Sequence, residues 1–241
     1  MQPLPVLKQQ SGCDTLSAVD GLSAEQRRIL AAYWFRRSEG ELTSYIGFQH
    51  VLADLRAEGS PPAVCELAER AVRDEYQHAV WCREWAVRFG HPEAVETRPR
   101  SVEPIRFRGA SDEDNRLLRI GLCCFTETVG CFILRHVRKV VTHPELRRQN
   151  RRHLADEVQH SRVGWGHLAS LSPATRERLE PWTPKLLGLL PEVCCEGPEL
   201  EHEELVPFGY FTPRLLRAAH DEAVRDVILP GLSHLGLKVS T

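Results

Sequence analysis

Long apolar runs are missing from this chain: no segment approaches the roughly 20 consecutive apolar residues that cross a bilayer, so no membrane span is expected. Charge of one sign is missing too. The 31 basic and 33 acidic residues leave a formal net charge of −2, which supplies no global basic field to recruit nucleic acid or an anionic membrane. None of the eight cysteines forms a C-x-x-C pair, which removes a zinc ribbon or a rubredoxin-type iron site. A chain of 241 residues needs no disulfide staples, and several cysteines fall on apolar helical faces; they read as reduced thiols. No G-x-G-x-x-G motif marks a flavin or nicotinamide site. The opening MQPLPVLKQQSG lacks a basic region followed by an apolar stretch, so no export signal is expected and a cytoplasmic location follows by default. Strand-like alternation long enough to build a sheet is also missing.

What is present is helical periodicity. Hydrophobic residues make up 42% and charged residues 27%, the mixture of a folded globular protein. Residues 1–22, rich in Pro, Gly and Ser, read as a flexible lead-in, and 23–241 as a single helical domain. Four long segments step by three and four. Helix A runs from Ser23 towards Glu58 with an inward stripe of Trp34, Ser38, Glu41, Tyr45, Phe48, Leu52 and Leu55. Helix B enters at Pro61-Pro62 and stops at Gly90, with Ala68, Ala71, Glu75, His78, Cys82 and Trp85 inward. Helix C opens at Ser111 with Asp112, Glu113 and Asp114 in its first turn, where acids suit the helix dipole. Helix D begins near Pro144 and carries His153, Glu157, His160 and Gly164 along one side.

The A–B and C–D links are a few residues each, which predicts two antiparallel hairpins. The stretch His91–Ala110, with three prolines, is long enough to cross between them. Two hairpins joined by one long crossover is ferritin-like connectivity. The expected fold is therefore all-α: a ferritin-like four-helix bundle with core 23–171 and extra C-terminal helices over 174–235. The first of these is expected to break near Pro181 and Pro184, residues 192–204 to be irregular, and the last helix to end at Pro230-Gly231.

Two pentapeptides stand out, Asp74-Glu75-Tyr76-Gln77-His78 and Asp156-Glu157-Val158-Gln159-His160. Each is D-E-x-Q-H on the second helix of a hairpin, and the first helix of each hairpin offers an inward glutamate, Glu41 or Glu127. Residues three apart share a helical face, so a glutamate and a histidine can grip one ion together. Two E-x-x-H pairs plus two single glutamates form the carboxylate-bridged dimetal arrangement of ferritin-like proteins. Four carboxylates also neutralise two divalent cations, whereas four buried carboxylates alone would be costly. Imidazole with carboxylate suits iron, with manganese the alternative. A third pair, Glu199 and His202, sits in an acidic run and reads as solvated surface. Asp74 and Asp156 lie one step off the ligand stripe, placed to accept the outer N–H of a histidine from across the bundle. His153 precedes Glu157 by one turn; it is either a third imidazole ligand or part of the solvated start marked by Arg147, Arg148, Arg151 and Arg152. Glu39 lies off the stripe, and His167 reads as core or pocket.

Glu41, Asp74-Glu75-x-x-His78, Glu127 and His153-x-x-x-Glu157-x-x-His160 together resemble the non-haem diiron arylamine N-oxygenases of the p-aminobenzoate N-oxygenase type. The resemblance spans roughly residues 23–170. It implies that His153 is a seventh ligand, that two iron ions activate dioxygen, and that an amine is oxidised stepwise towards hydroxylamine, nitroso or nitro products. It also implies an external electron donor; a monomer or homodimer with about two irons would favour this oxygenase reading over an iron-storage shell. The cyanobacterial aldehyde-deformylating oxygenases share the six-ligand pattern but lack the extra histidine, so His153 separates the two. An iron-handling ferroxidase is the alternative from another class, and a metal-free helical scaffold a further one.

Overall fold

The computed structural model describes residues 21–92, 102–195 and 200–238, and among them every regular element is helical. Helix α1 (Ala24–Ala57) starts at a capping box: the Ser23 hydroxyl accepts from the Gln26 N–H, and the Gln26 side chain accepts from the Ser23 N–H. It ends at Gly59, whose φ of 65° turns the chain into α2 (Pro62–Arg88). Pro62 occupies the first turn of α2, where a missing N–H costs nothing. Helix α3 (Asp112–Val140) is capped by the Ser111 hydroxyl and carries its three acids in the first turn. Helix α4 (Pro144–Ser170) begins after a three-residue link, with the His143 ring accepting from the Leu146 N–H.

The four long helices pack in a closed cycle, α1 on α2, α2 on α4, α4 on α3 and α3 on α1. The periodic stripes face inward: Ala68, Ala71, Glu75, His78, Cys82 and Trp85 of α2 are all buried. Helices α3 and α4 pack backbone against side chain at Gly164, where an added Cβ would lie 2.1 Å from the Cys124 Cβ. Only a residue without a side chain allows that approach. Part of the 91–110 crossover, residues 93–101, lies outside the described residues, as do 1–20 of the lead-in; Leu22, at the lead-in's end, is buried in the core.

The C-terminal third covers the outer face of α3. After α5 (Pro173–Glu177) and a 3₁₀ turn at Glu180–Trp182, α6 (Thr183–Cys195) packs on α3. A second 3₁₀ turn, Glu203–Phe208, is pinned to α1 by the Trp34 indole N–H donating to the Phe208 carbonyl at 3.2 Å. Helix α7 (Pro213–Ala223) also packs on α3 and continues through a π-helical turn, Val224–Ile228, into α8 (Leu229–His234). Helix α3 is therefore walled on several sides. Although it holds no unbroken apolar run of the length a bilayer needs, one 18-residue window of α3 is apolar enough on average to cross a membrane, and 67% of that window is buried inside the protein. Each fully buried Leu or Phe there contributes about 1.5–3 kcal/mol.

Three expectations for the C-terminal third need correction. The break comes at the 3₁₀ turn that holds Pro181, as expected, but not at Pro184, which occupies the first turn of α6, where proline is tolerated. Residues Glu192–Cys195 are helical rather than irregular. The helix entered at Pro213 does not end at Pro230-Gly231: the π turn shifts the hydrogen-bond register and Pro230 becomes a first-turn residue of α8.

Candidate metal centre

All four long helices supply side chains to one buried cluster. Glu41 comes from α1, Glu75 and His78 from α2, Glu127 from α3, and His153, Glu157 and His160 from α4. Helical spacing explains the convergence, since Glu75 and His78, like His153, Glu157 and His160, share one face of their helix. The structure brings all seven candidate residues together, in two groups. Glu41, His78, His153 and Glu157 form one; Glu75, Glu127, Glu157 and His160 form the other, and within each the donor atoms lie within 4.8 Å of one another. Either group could hold a metal ion.

Two carboxylates face both ways. Glu157 Oε1 lies 2.9 Å from His153 Nε2 and 3.8 Å from His78 Nδ1, while its Oε2 lies 3.5 Å from His160 Nδ1. Glu75 Oε1 lies 2.9 Å from His160 Nδ1 and its Oε2 3.8 Å from His78 Nδ1. Glu41 and Glu127 sit at opposite ends, Glu41 Oε1 3.9 Å from His153 Nε2 and Glu127 Oε2 3.7 Å from His160 Nδ1. The geometry thus separates two inner carboxylates from two outer ones.

The cluster fits a cation on its own evidence. The outer nitrogen of His160, Nε2, is buried without an aligned hydrogen bond, and so are the inward Glu75 Oε2, His78 Nδ1 and His160 Nδ1. Buried polar atoms ordinarily find one, and the three inward atoms face the centre of the cluster. The electrostatics agree. Burial, reinforced by the Glu157 charge, holds the Glu127 carboxyl well above its ordinary range. Burial likewise raises Glu41, against the pull of His153 and Arg37. Glu157 goes the other way: burial opposes its charge, but hydrogen bonds from His153 and His160 hold it well below the usual value. Burial alone would lower His78, yet Asp156, Glu75 and Glu41 outweigh it and push the imidazole up to about 10. His160 is raised against burial by Asp74, Glu127, Glu157 and Glu75. His153 is lowered by burial and by the His78 charge. Acids and imidazoles with such opposed preferences share protons in the metal-free chain, and cations would replace them.

Behind the histidines stand the two aspartates, crossed between helices. Asp156 of α4 places Oδ2 3.3 Å from His78 Nε2, and Asp74 of α2 places Oδ2 3.5 Å from His160 Nε2. Arg70 reaches both of these carboxylates, a contact the sequence reading missed. The signal was there: D-E-x-Q-H extends one turn upstream to an arginine in both halves, Arg70 and Arg152. Arg37, also missed, donates to Glu41 Oε1 at 3.1 Å and packs over the rings of Trp34 and Phe211. Beside it lies a cavity of about 20 Å³, lined in part by Trp34, Arg37, Asn150, His153 and Phe211, room for about one water.

The other candidates lie apart from the cluster. Glu39 pairs with Arg83 at 3.2 Å. His167 is buried, with Nδ1 2.8 Å from the Ser60 hydroxyl, and belongs to neither group. Tyr45 is half-buried against Tyr76. His202 is half-buried beside Glu204, and its partner in the third pair, Glu199, lies outside the described residues. Arg147, Arg148, Arg151 and Arg152 are exposed, although His153 next to them is buried. The seven cysteines among the described residues are free. No family model, no curated protein and no solved structure matches this chain, so the reading of the site rests on its geometry.

Proposed function

We propose that the chain is a ferritin-like four-helix bundle that holds two iron ions and oxidises a small organic substrate with dioxygen, N-oxygenation of an arylamine being the best-supported reaction. The observation that carries this reading is the pair of donor groups joined through Glu157, with His153 in only one of them. Seven donors with two inner carboxylates suit two cations a few ångströms apart, and mixed imidazole and carboxylate donors suit iron. The extra imidazole favours the arylamine N-oxygenase pattern over the six-ligand aldehyde-deformylating one.

Two iron ions in this position supply the redox chemistry with dioxygen, fed by an external electron donor. The chain's own residues do the rest. Glu157, common to both donor groups, and Glu75 beside it would hold the ions together with Glu41 and Glu127, and the histidines would present Nδ1 or Nε2. Asp156 accepts the outer N–H of His78, and Asp74 stands 3.5 Å from the outer nitrogen of His160, which leaves the inward nitrogen of each ring free to ligate. Burial of the cluster, with Trp34 and Phe211 walling the neighbouring cavity, limits the access of bulk water. The neighbouring cavity has room for about one water, so dioxygen or anything larger needs side-chain movement at that wall.

The test is to load the full chain with ferrous iron without air, count the metal, add dioxygen and follow the optical spectrum with arylamines or aldehydes present. About two irons per chain, and a transient whose decay is accelerated by arylamines, is the expected result. Acceleration by aldehydes alone would move the reaction to the deformylating class. Storage of many irons per chain in a large cage would replace the oxygenase with an iron-handling protein.

A further inference from the structure

We propose that Arg70 is a positioning residue that couples the two metal positions, by clamping the two aspartates that orient one histidine of each. The inference rests on the two-metal reading above. Arg70 Nε lies 3.3 Å from Asp74 Oδ2, and Arg70 Nη2 lies 3.5 Å from Asp156 Oδ1. One guanidinium therefore ties α2 to α4 through two carboxylates. Those carboxylates in turn face His160 Nε2 and His78 Nε2. An ionised carboxylate only accepts hydrogen bonds: Asp156 holds the His78 proton on Nε2 at 3.3 Å, Asp74 draws that of His160 to Nε2 by its charge from 3.5 Å, and in both rings the Nδ1 lone pair is left facing the cluster. His160 and His78 belong to different donor groups. A displacement of Arg70 thus reaches both metal positions at once.

The residue type matters. A planar fork with five donors can serve two carboxylates in a fixed arrangement, whereas a lysine ammonium is a point charge on a flexible stem. A histidine bound to a metal is neutral, so in the loaded protein Arg70 is the cation beside Asp74 and Asp156. Its role is orientation more than folding: its side chain is 53% exposed, and exposed ion pairs contribute little to stability. The internal repeat supplies a control. Arg152 holds the matching place one turn before Asp156, yet its guanidinium packs over the Trp81 ring, 4.9 Å from the centroid. Two arginines in equivalent sequence positions therefore have different duties, and only one is a clamp.

The experiment is an anaerobic titration of the full chain with cobalt(II) against a competing chelator, reading the cobalt d–d absorption, for wild type, Arg70→Ala, Arg70→Lys and Arg152→Ala. Wild type is expected to take about two cobalt ions. Arg70→Ala should weaken both positions by about 10–100-fold and change the d–d spectrum. Arg70→Lys should recover only part of the affinity, and Arg152→Ala should stay close to wild type. The metal-free melting temperature of Arg70→Ala should move little. Unchanged affinity in Arg70→Ala, loss at one position only, or a metal-free melting temperature falling in step with affinity would each overturn the clamp. A wild-type chain that takes up no cobalt would instead remove the two-metal reading beneath it.

Discussion

The two hairpins carry the same five-residue motif on their second helices, yet they build unequal halves of the cluster. In the α1–α2 half, Glu41 is held by Arg37, and Arg70 grips the aspartates. In the α3–α4 half, burial and the Glu157 charge raise Glu127 well above the ordinary carboxylate range, and His153 adds an imidazole that α2 does not match. The outer face of α3 is covered by α6 and α7. A repeat in sequence fixes where ligand-type side chains fall, and the unrepeated surroundings decide what each half does.

The largest break in this comparison comes from Glu157, the carboxylate common to both donor groups. Glu157→Gln keeps the shape and removes the charge. It should cost at least about 100-fold in affinity at both positions, seen as fewer than two irons per chain by elemental analysis. An intact count would show that Glu157 is not shared.

Next in size is the contact that holds the second hairpin together. Gly164→Ala forces a methyl group into the space of the Cys124 side chain and should destabilise the fold by about 3 kcal/mol. Chemical denaturation of the metal-free chain measures it directly. Gly40→Ala, where an added Cβ meets nothing within 4 Å, should be neutral or slightly stabilising.

His153→Ala sharpens the asymmetry. It should weaken the position shared with Glu41 and His78 by about tenfold or more and leave the Glu127–His160 position near its original affinity. Stepwise metal titration reads the two separately, and equal losses at both would count against two unequal halves.

The smallest effect is a pH dependence. In the metal-free fold His78 is raised from an ordinary 6.5 to about 10, because Asp156 and Glu75 outweigh its burial. Its stabilising contribution is complete below about pH 6.5 and disappears as pH rises through about 10. The metal-free melting temperature should therefore fall between pH 7 and 10, by roughly 5 °C. Metal displaces those protons, so the loaded chain should show a flatter profile over the same range.

Much of this architecture was legible in the residues themselves. The boundaries of the four long helices follow from Ser23, Pro62, Ser111 and Pro144, whose capping or first-turn roles are local. The convergence of Glu41, Glu75, His78, Glu127, Glu157 and His160 was legible because a helix repeats faithfully and ligand types are rare on apolar stripes. His153 was ambiguous, since four arginines before it pointed to solvent while its own position pointed inward. Arg70 was not read, because its partners lie on two helices and nothing local to α2 announces a contact with Asp156. The C-terminal third was misjudged at Pro184 and Pro230 for one reason: each occupies the first turn of a helix, where proline is tolerated, and where those helices start depends on packing that the local sequence does not announce.

The central claim is that two cations sit side by side, flanked by Glu75 and Glu157. Anomalous diffraction at the iron edge from crystals of the iron-loaded chain tests it most directly. The account predicts two peaks a few ångströms apart, one beside Glu41, His78 and His153 and the other beside Glu127 and His160. A single peak, or iron bound only at the surface, would contradict it.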